Sequence, residues 1–215
     1  MKRPTIILTG KAAGQWYIDT MNSNLPSSGK DEKAYHIIQT EFDPINALLP
    51  HKMPLAAMLL EPYFIKQEAE QTPFILANIT LHEAVSLFTI KPKHFISIEY
   101  ILDKEFDNKS NKVGLLGTSY TMANDYWKKT FPYLQFKLLP DDLLSEIDDL
   151  RKDYFNNTNK TLAIHVFRQL QGIEVDYWIL ACTELALAYD DAGIELPMIH
   201  LPKLQCDYLI KTTRF

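Results

Sequence analysis

Cysteine is scarce in this chain. There are two in 215 residues, Cys182 and Cys206, which is too few for a disulfide framework. The pair suits a reducing cytoplasmic compartment, where a thiol is available for chemistry. No cysteine or histidine pair has zinc-finger spacing, which argues against a structural metal. Positive charge is also lacking. The formal net charge is −5, and the 23% of charged residues are spread along the chain, leaving no basic stripe for nucleic acid. No apolar run approaches the ~20 residues needed to span a membrane. Ile6-Ile7-Leu8, after Lys2-Arg3, is too short for a signal-peptide core and reads as a first strand. The turn after it, Thr9-Gly10-Lys11-Ala12-Ala13-Gly14, has neither phosphate-loop spacing nor the dinucleotide fingerprint.

What is present is a hydrophobic content of 47%, that of a globular protein, and one stretch that organises the rest. Tyr177-Trp178-Ile179-Leu180-Ala181 is an apolar run rich in aromatic and β-branched residues. It ends on Cys182-Thr183-Glu184 and passes into Leu185-Ala186-Leu187-Ala188, so a strand feeds a helix. Cys182 is thereby placed at the carboxyl end of a strand, where open α/β sheets bind ligands. A following helix N-terminus would favour an anion and lower the pKa of the thiol. The alternative is an ordinary buried cysteine.

Strand and helix signals alternate along the whole chain. Strands are expected at 5–8, 35–40, 74–77, 95–98, 113–117, 134–139, 177–181 and 197–200. Helices are expected at 15–22, 55–70, 82–88, 122–129, 140–154, 158–171, 183–188 and 203–211, with 23–33 a polar loop. This alternation implies parallel sheets with right-handed crossovers. The polar stretch 103–112 is the best boundary, and after it the order of elements repeats. Phe74-Ile75-Leu76-Ala77-Asn78 and Trp178-Ile179-Leu180-Ala181-Cys182 share an Ile-Leu-Ala core at equivalent places. The expectation is therefore an α/β protein of two similar parallel-sheet lobes related by a pseudo-repeat, with a ligand cleft between them. Residues 1–104, joined by a terminal helix at 203–215, would form one lobe and 112–202 the other.

Such turns can hold a carboxylate on backbone N–H groups and hydroxyls, with Thr80, Thr118, Thr121 and Thr183 as donors. A thiolate beside it could remove a proton from the carbon alpha to that carboxylate. The same threonines are equally suited to helix capping. His82 is either an acid/base or idle, and Glu184 either a helix-dipole acid or a group that orients the thiol.

Leu180-Ala181-Cys182-Thr183-Glu184-Leu185 resembles the second cysteine motif of the aspartate/glutamate racemase superfamily, on its aspartate racemase side. Gly114-Leu115-Leu116-Gly117-Thr118-Ser119-Tyr120-Thr121-Met122 is similar to that family's Gly-Leu-Leu-Gly-Thr-x-x-Thr-Met motif, and Thr80-Leu81-His82 resembles the end of its Cys-Asn-Thr-x-His motif. The resemblance implies a cofactor-independent racemase or epimerase of an acidic amino acid, often a homodimer; the alternatives are a one-thiol decarboxylase or isomerase on the same scaffold, or a non-catalytic carboxylate-binding protein. Cys182, Thr80 and Asn78 would stand at the catalytic positions, with Thr118, Ser119, Thr121, Thr183, Glu184 and His82 on the substrate. The implied ligand is a small carboxylate such as aspartate or glutamate, without cofactor, metal, nucleic acid or membrane. The sequence departs from the pattern where the first cysteine belongs. Asn78 stands there, and an amide has no pKa that would let it act as a proton-transfer base. Lys11-Ala12-Ala13 also replaces the usual Gly-Met-x of the first turn. Lys11, Lys52 and Lys160 are candidate cations for a side-chain carboxylate.

Overall fold

The computed structural model describes residues 3–25, 34–156 and 158–212. They divide into two compact units whose boundaries fall at Ile101/Leu102 and Pro202/Lys203.

In the first unit, β1 (Thr5–Leu8) lies between β2 (His36–Gln39) and β3 (Phe74–Ala77), and both pairings are parallel. Every residue of β1 and β3 is buried, which explains why their sequences are apolar throughout instead of alternating. Around the sheet come α1 (Lys11–Asn24), α2 (Phe42–Asn46), α3 (Met53–Glu70) and α4 (His82–Ser86). The core centres on Phe64 of α3, whose ring meets those of Phe74, Phe88 and Phe95 edge-on at 5.2, 5.0 and 4.9 Å. The strand expected at 95–98 is reduced to a single parallel bridge between Phe95 and Phe74. Its hydrogen bonds run from Phe74 N–H to His94 O and from Ile96 N–H to Phe74 O. Ile98 already opens α5 (Ile98–Phe106), a helix whose last four residues had read as polar linker. The loop expected at 23–33 lies outside the described residues from 26 onward.

The second unit repeats the arrangement with one more full strand. The order is β5 (Gln135–Phe136), β4 (Lys112–Leu116), β6 (Tyr177–Leu180), β7 (Met198–His200), all parallel. β5 is much shorter than its apolar sequence at 134–139 implies. The expected helix at 122–129 is two short ones, α6 (Ser119–Ala123) and α7 (Tyr126–Thr130), followed by α8 (Asp141–Asn156), α9 (Lys160–Gln171) and α10 (Thr183–Ala192). Gly114 in β4 has a packing reason. A Cβ there would lie 2.2 Å from Cζ3 of the buried Trp178, so the missing side chain is what lets the indole lie across the neighbouring strand.

The final helix, α11 (Leu201–Thr212), packs into the first unit through Gln205, which is fully buried. The Tyr17 hydroxyl donates to Gln205 Oε1 at 2.5 Å, and Gln205 Nε2 lies 3.1 Å from His82 Nε2. None of the described helices is long and apolar enough to cross a membrane.

Candidate active site

In the second unit two strand-to-helix turns stand side by side. Leu116 of β4 pairs with Leu180 of β6, and both Thr118 and Cys182 come two residues beyond that pair, at the carboxyl ends of adjacent strands. Adjacent strands are about 4.8 Å apart, so the two turns open at the same edge of the sheet.

The first of these turns is built on Thr118, the N-cap of α6. Its Oγ1 accepts from Thr121 N–H at 3.1 Å and lies 2.9 Å from Thr121 Oγ1. Gly117 permits that closure, since a Cβ on it would come within 2.9 Å of Thr121 Cγ2. Thr121 is buried. The Ser119 N–H points to Asp148 Oδ1 at 3.4 Å. Asp148 is in turn held by Arg151 Nε and Lys152 Nζ, each at 2.9 Å. Burial alone would raise the Asp148 pKa, but the hydrogen bonds from Lys152 and Arg151 outweigh it and hold the carboxyl below its ordinary value. This buried acid is a neighbour of the site that the sequence analysis missed. Its signal was an aspartate among the buried positions Leu143, Ile147 and Leu150 of α8.

The second turn carries the thiol. Cys182 is the N-cap of α10, in extended conformation. Its Sγ donates to Glu184 Oε2 at 3.0 Å, and Thr183 Oγ1 donates to the same oxygen at 2.9 Å. Cys182 and Thr183 are both buried. The amides of Leu185 and Glu184 do favour a thiolate, as expected of a helix start. They are overridden by burial and by the negative charge of Glu184, which push the thiol well above its usual range. The expectation of an acidified thiol is therefore reversed: burial and Glu184 favour the protonated form of Cys182, whose hydrogen is aimed at Glu184 Oε2.

The corresponding turn of the first unit is arranged differently. Asn78 follows β3 as Cys182 follows β6, but its Oδ1 accepts from Leu81 N–H at 3.2 Å, so the side chain is part of the turn. Thr80 is half-buried. His82, expected on the substrate, is instead a core residue at 1% exposure. Its Nδ1 accepts from Ile98 N–H at 3.3 Å, and burial lowers its pKa to about 4 despite the opposing influence of Glu99 and a bond to the Leu76 backbone. A ring held in this way stays neutral and is packed against Phe95. Cys206, in α11, is fully buried and its thiol is likewise pushed up by burial. Lys52 and Lys160 are exposed, and the side chain of Lys11 lies outside the described residues. Among the described residues no cluster of acids, histidines and cysteines is suited to hold a metal ion.

No protein-family model and no curated protein matches the sequence. Solved structures do match the fold. A protein assigned as an Asp/Glu racemase from Yersinia pestis superposes with a TM-score of 0.75 at 18% identity, over 97% of this chain and 99% of that one. An aspartate racemase homologue from Pyrococcus horikoshii gives 0.70 at 21% identity, over 98% of both chains. The aspartate racemase of Picrophilus torridus gives 0.73 at 18% identity, over 98% of this chain and 94% of that one. The chain has the two-lobed fold of Asp/Glu racemase-like proteins.

Proposed function

We propose that the chain is a cofactor-independent enzyme acting at the α-carbon of a small carboxylate, an acidic amino acid such as aspartate or glutamate, with Cys182 as its acid/base. The observation that carries this reading is the thiol–carboxylate pair of Cys182 and Glu184 beside the hydroxyl-lined Thr118 turn, at the edge where α/β sheets take ligands. The Thr118 and Thr121 hydroxyls and Thr183 would receive the substrate carboxylate. Glu184 accepts the thiol proton, the thiolate takes the α-proton, and the electron pair left on carbon delocalises into the bound carboxylate. Return of the proton from Cys182 completes exchange on one face.

A second reading, a one-thiol isomerase or decarboxylase on the same scaffold, is favoured by one observation. The residue at the first cysteine position is an asparagine already engaged with the Leu81 amide. An enzyme with a thiol on one face alone would exchange or protonate without inverting.

The test is proton NMR in heavy water with each enantiomer of aspartate and of glutamate, alongside a chiral assay and a Cys182→Ala control. Loss of the α-proton signal that requires Cys182, with inversion, supports a racemase. Loss for one enantiomer without inversion supports the one-thiol reading. Retention of the signal with all four amino acids removes acidic amino acids as substrates.

A further inference from the structure

Among the described residues, Thr9 Oγ1 is the one buried side-chain oxygen or nitrogen without a hydrogen-bond partner. Thr9 is 1% exposed. A hydroxyl taken out of water with nothing to bond is destabilising, so an orphan of this kind calls for a physical explanation. Thr40, also buried, needs none: its N–H and its Oγ1 both donate to Leu8 O, at 2.9 and 3.1 Å. The orphan stands at a ligand-binding position of the sheet. Leu8 of β1 pairs with Gln39 of β2 and with Ala77 of β3, so Thr9, Thr40 and Asn78 come next, at the carboxyl ends of three adjacent parallel strands. The chain passes from β1 to β2 on one side and then to β3 on the other. Thr9 and Asn78 therefore flank the switch point at which open α/β sheets take ligands.

One residue beyond Thr9, Gly10 is the N-cap of the 14-residue α1. The first bond of that helix runs from Gly14 N–H to Gly10 O, so the amides of Lys11, Ala12 and Ala13 have no partner within it. Gly10 has no side chain to cap them, and the first turn holds no acid. In the second unit, by contrast, Thr118 follows β4 as Gly10 follows β1 and caps its own helix through Oγ1. Asn78 adds a donor: Leu81 N–H takes its Oδ1 and leaves the Nδ2 hydrogens. A hydroxyl, a side-chain amide and the N–H groups at the positive end of a helix together suit a small oxyanion. A carboxylate, with one charge over two oxygens, is matched by neutral donors alone, whereas a phosphate dianion ordinarily calls for a cation as well. We infer that the Thr9 turn of the first unit binds a carboxylate group, the Thr9 hydroxyl donating to one oxygen and the first amides of α1 to the other. Its residues are distinct from those of the Cys182 turn, and the site does not rest on the chemistry proposed there.

Amide NMR of the full chain tests this, by titration with sodium malonate and separately with sodium phosphate, each against sodium chloride at equal ionic strength. Malonate should move the amides of residues 10–13 saturably, and chloride should not. Thr9→Val keeps the shape of the side chain and removes its hydroxyl. It should weaken malonate binding by about tenfold, and it should raise the melting temperature of the malonate-free chain because the orphan is gone. Thr9→Ser should retain binding. Malonate shifts confined to residues 117–121 and 182–185 overturn the proposal, as does a Thr9→Val chain that binds malonate unchanged. Absence of any saturable shift at residues 10–13 means that water alone serves the hydroxyl, and overturns it too. Saturation by phosphate without saturation by malonate overturns the carboxylate assignment.

Discussion

Cys182 and Glu184, two residues apart at the start of α10, are joined by a hydrogen bond in which the thiol donates to Oε2 across 3.0 Å. A thiol at a bare helix start would be acidified, whereas this one is buried and faces a carboxylate.

Alkylation of Cys182 should accordingly have a pH midpoint above that of a free thiol. Glu184→Gln removes the negative charge facing the thiolate, so it should lower that midpoint and speed alkylation at neutral pH. Rates of iodoacetamide labelling against pH, in a Cys206→Ala background, measure this directly. A midpoint unmoved by Glu184→Gln would remove Glu184 as the partner.

His82 predicts an acid limb of stability. Its folded pKa of about 4 lies below the ordinary 6.5, so between those values the unfolded chain binds more protons. The contribution is complete above pH 6.5, is lost as pH falls from there to about 4, and amounts to roughly 3 kcal/mol. Urea unfolding at pH 7 and pH 4.5 should show the loss, and His82→Gln should flatten this dependence while lowering stability at pH 7.

Gly114→Ala should destabilise the second unit by about 1–3 kcal/mol, because its Cβ has to displace the Trp178 ring. Chemical unfolding followed by tryptophan fluorescence would report it. Trp178→Leu in the same chain should make the alanine far less costly.

Thr118→Ala removes the cap of α6 and should cost about 1 kcal/mol. If the Thr118 turn holds the substrate carboxylate, the same change should raise the substrate concentration needed for half-maximal α-proton exchange. Thr118→Ser should retain both properties.

The fold was largely legible because buried parallel strands announce themselves as uninterrupted apolar runs. Residues 74–77 and 177–180 are examples, and the Ile-Leu-Ala repeat marked their equivalence. The pattern failed where an apolar run is not paired. Phe95-Ile96 makes one bridge and then turns into α5, since Ile98 is needed as a buried helix residue. At the site, the Thr118 and Cys182 turns could be placed from glycine, threonine and cysteine spacing. The direction of the Cys182 shift could not, because it depends first on how deeply the thiol is buried and then on which way the Glu184 side chain points. Nor could the fate of His82, which is decided by its burial in a core that includes Gln205, more than a hundred positions away.

That last separation bears on how the protein is made. His82 and Gln205 are 123 residues apart, and the second unit lies wholly between the parts of the first. On the ribosome, the second unit has its entire sequence in hand while the first still lacks α11. Until Gln205 emerges, the nascent chain holds His82 and Tyr17 without the amide that joins them, so the first lobe to begin is the last to be finished.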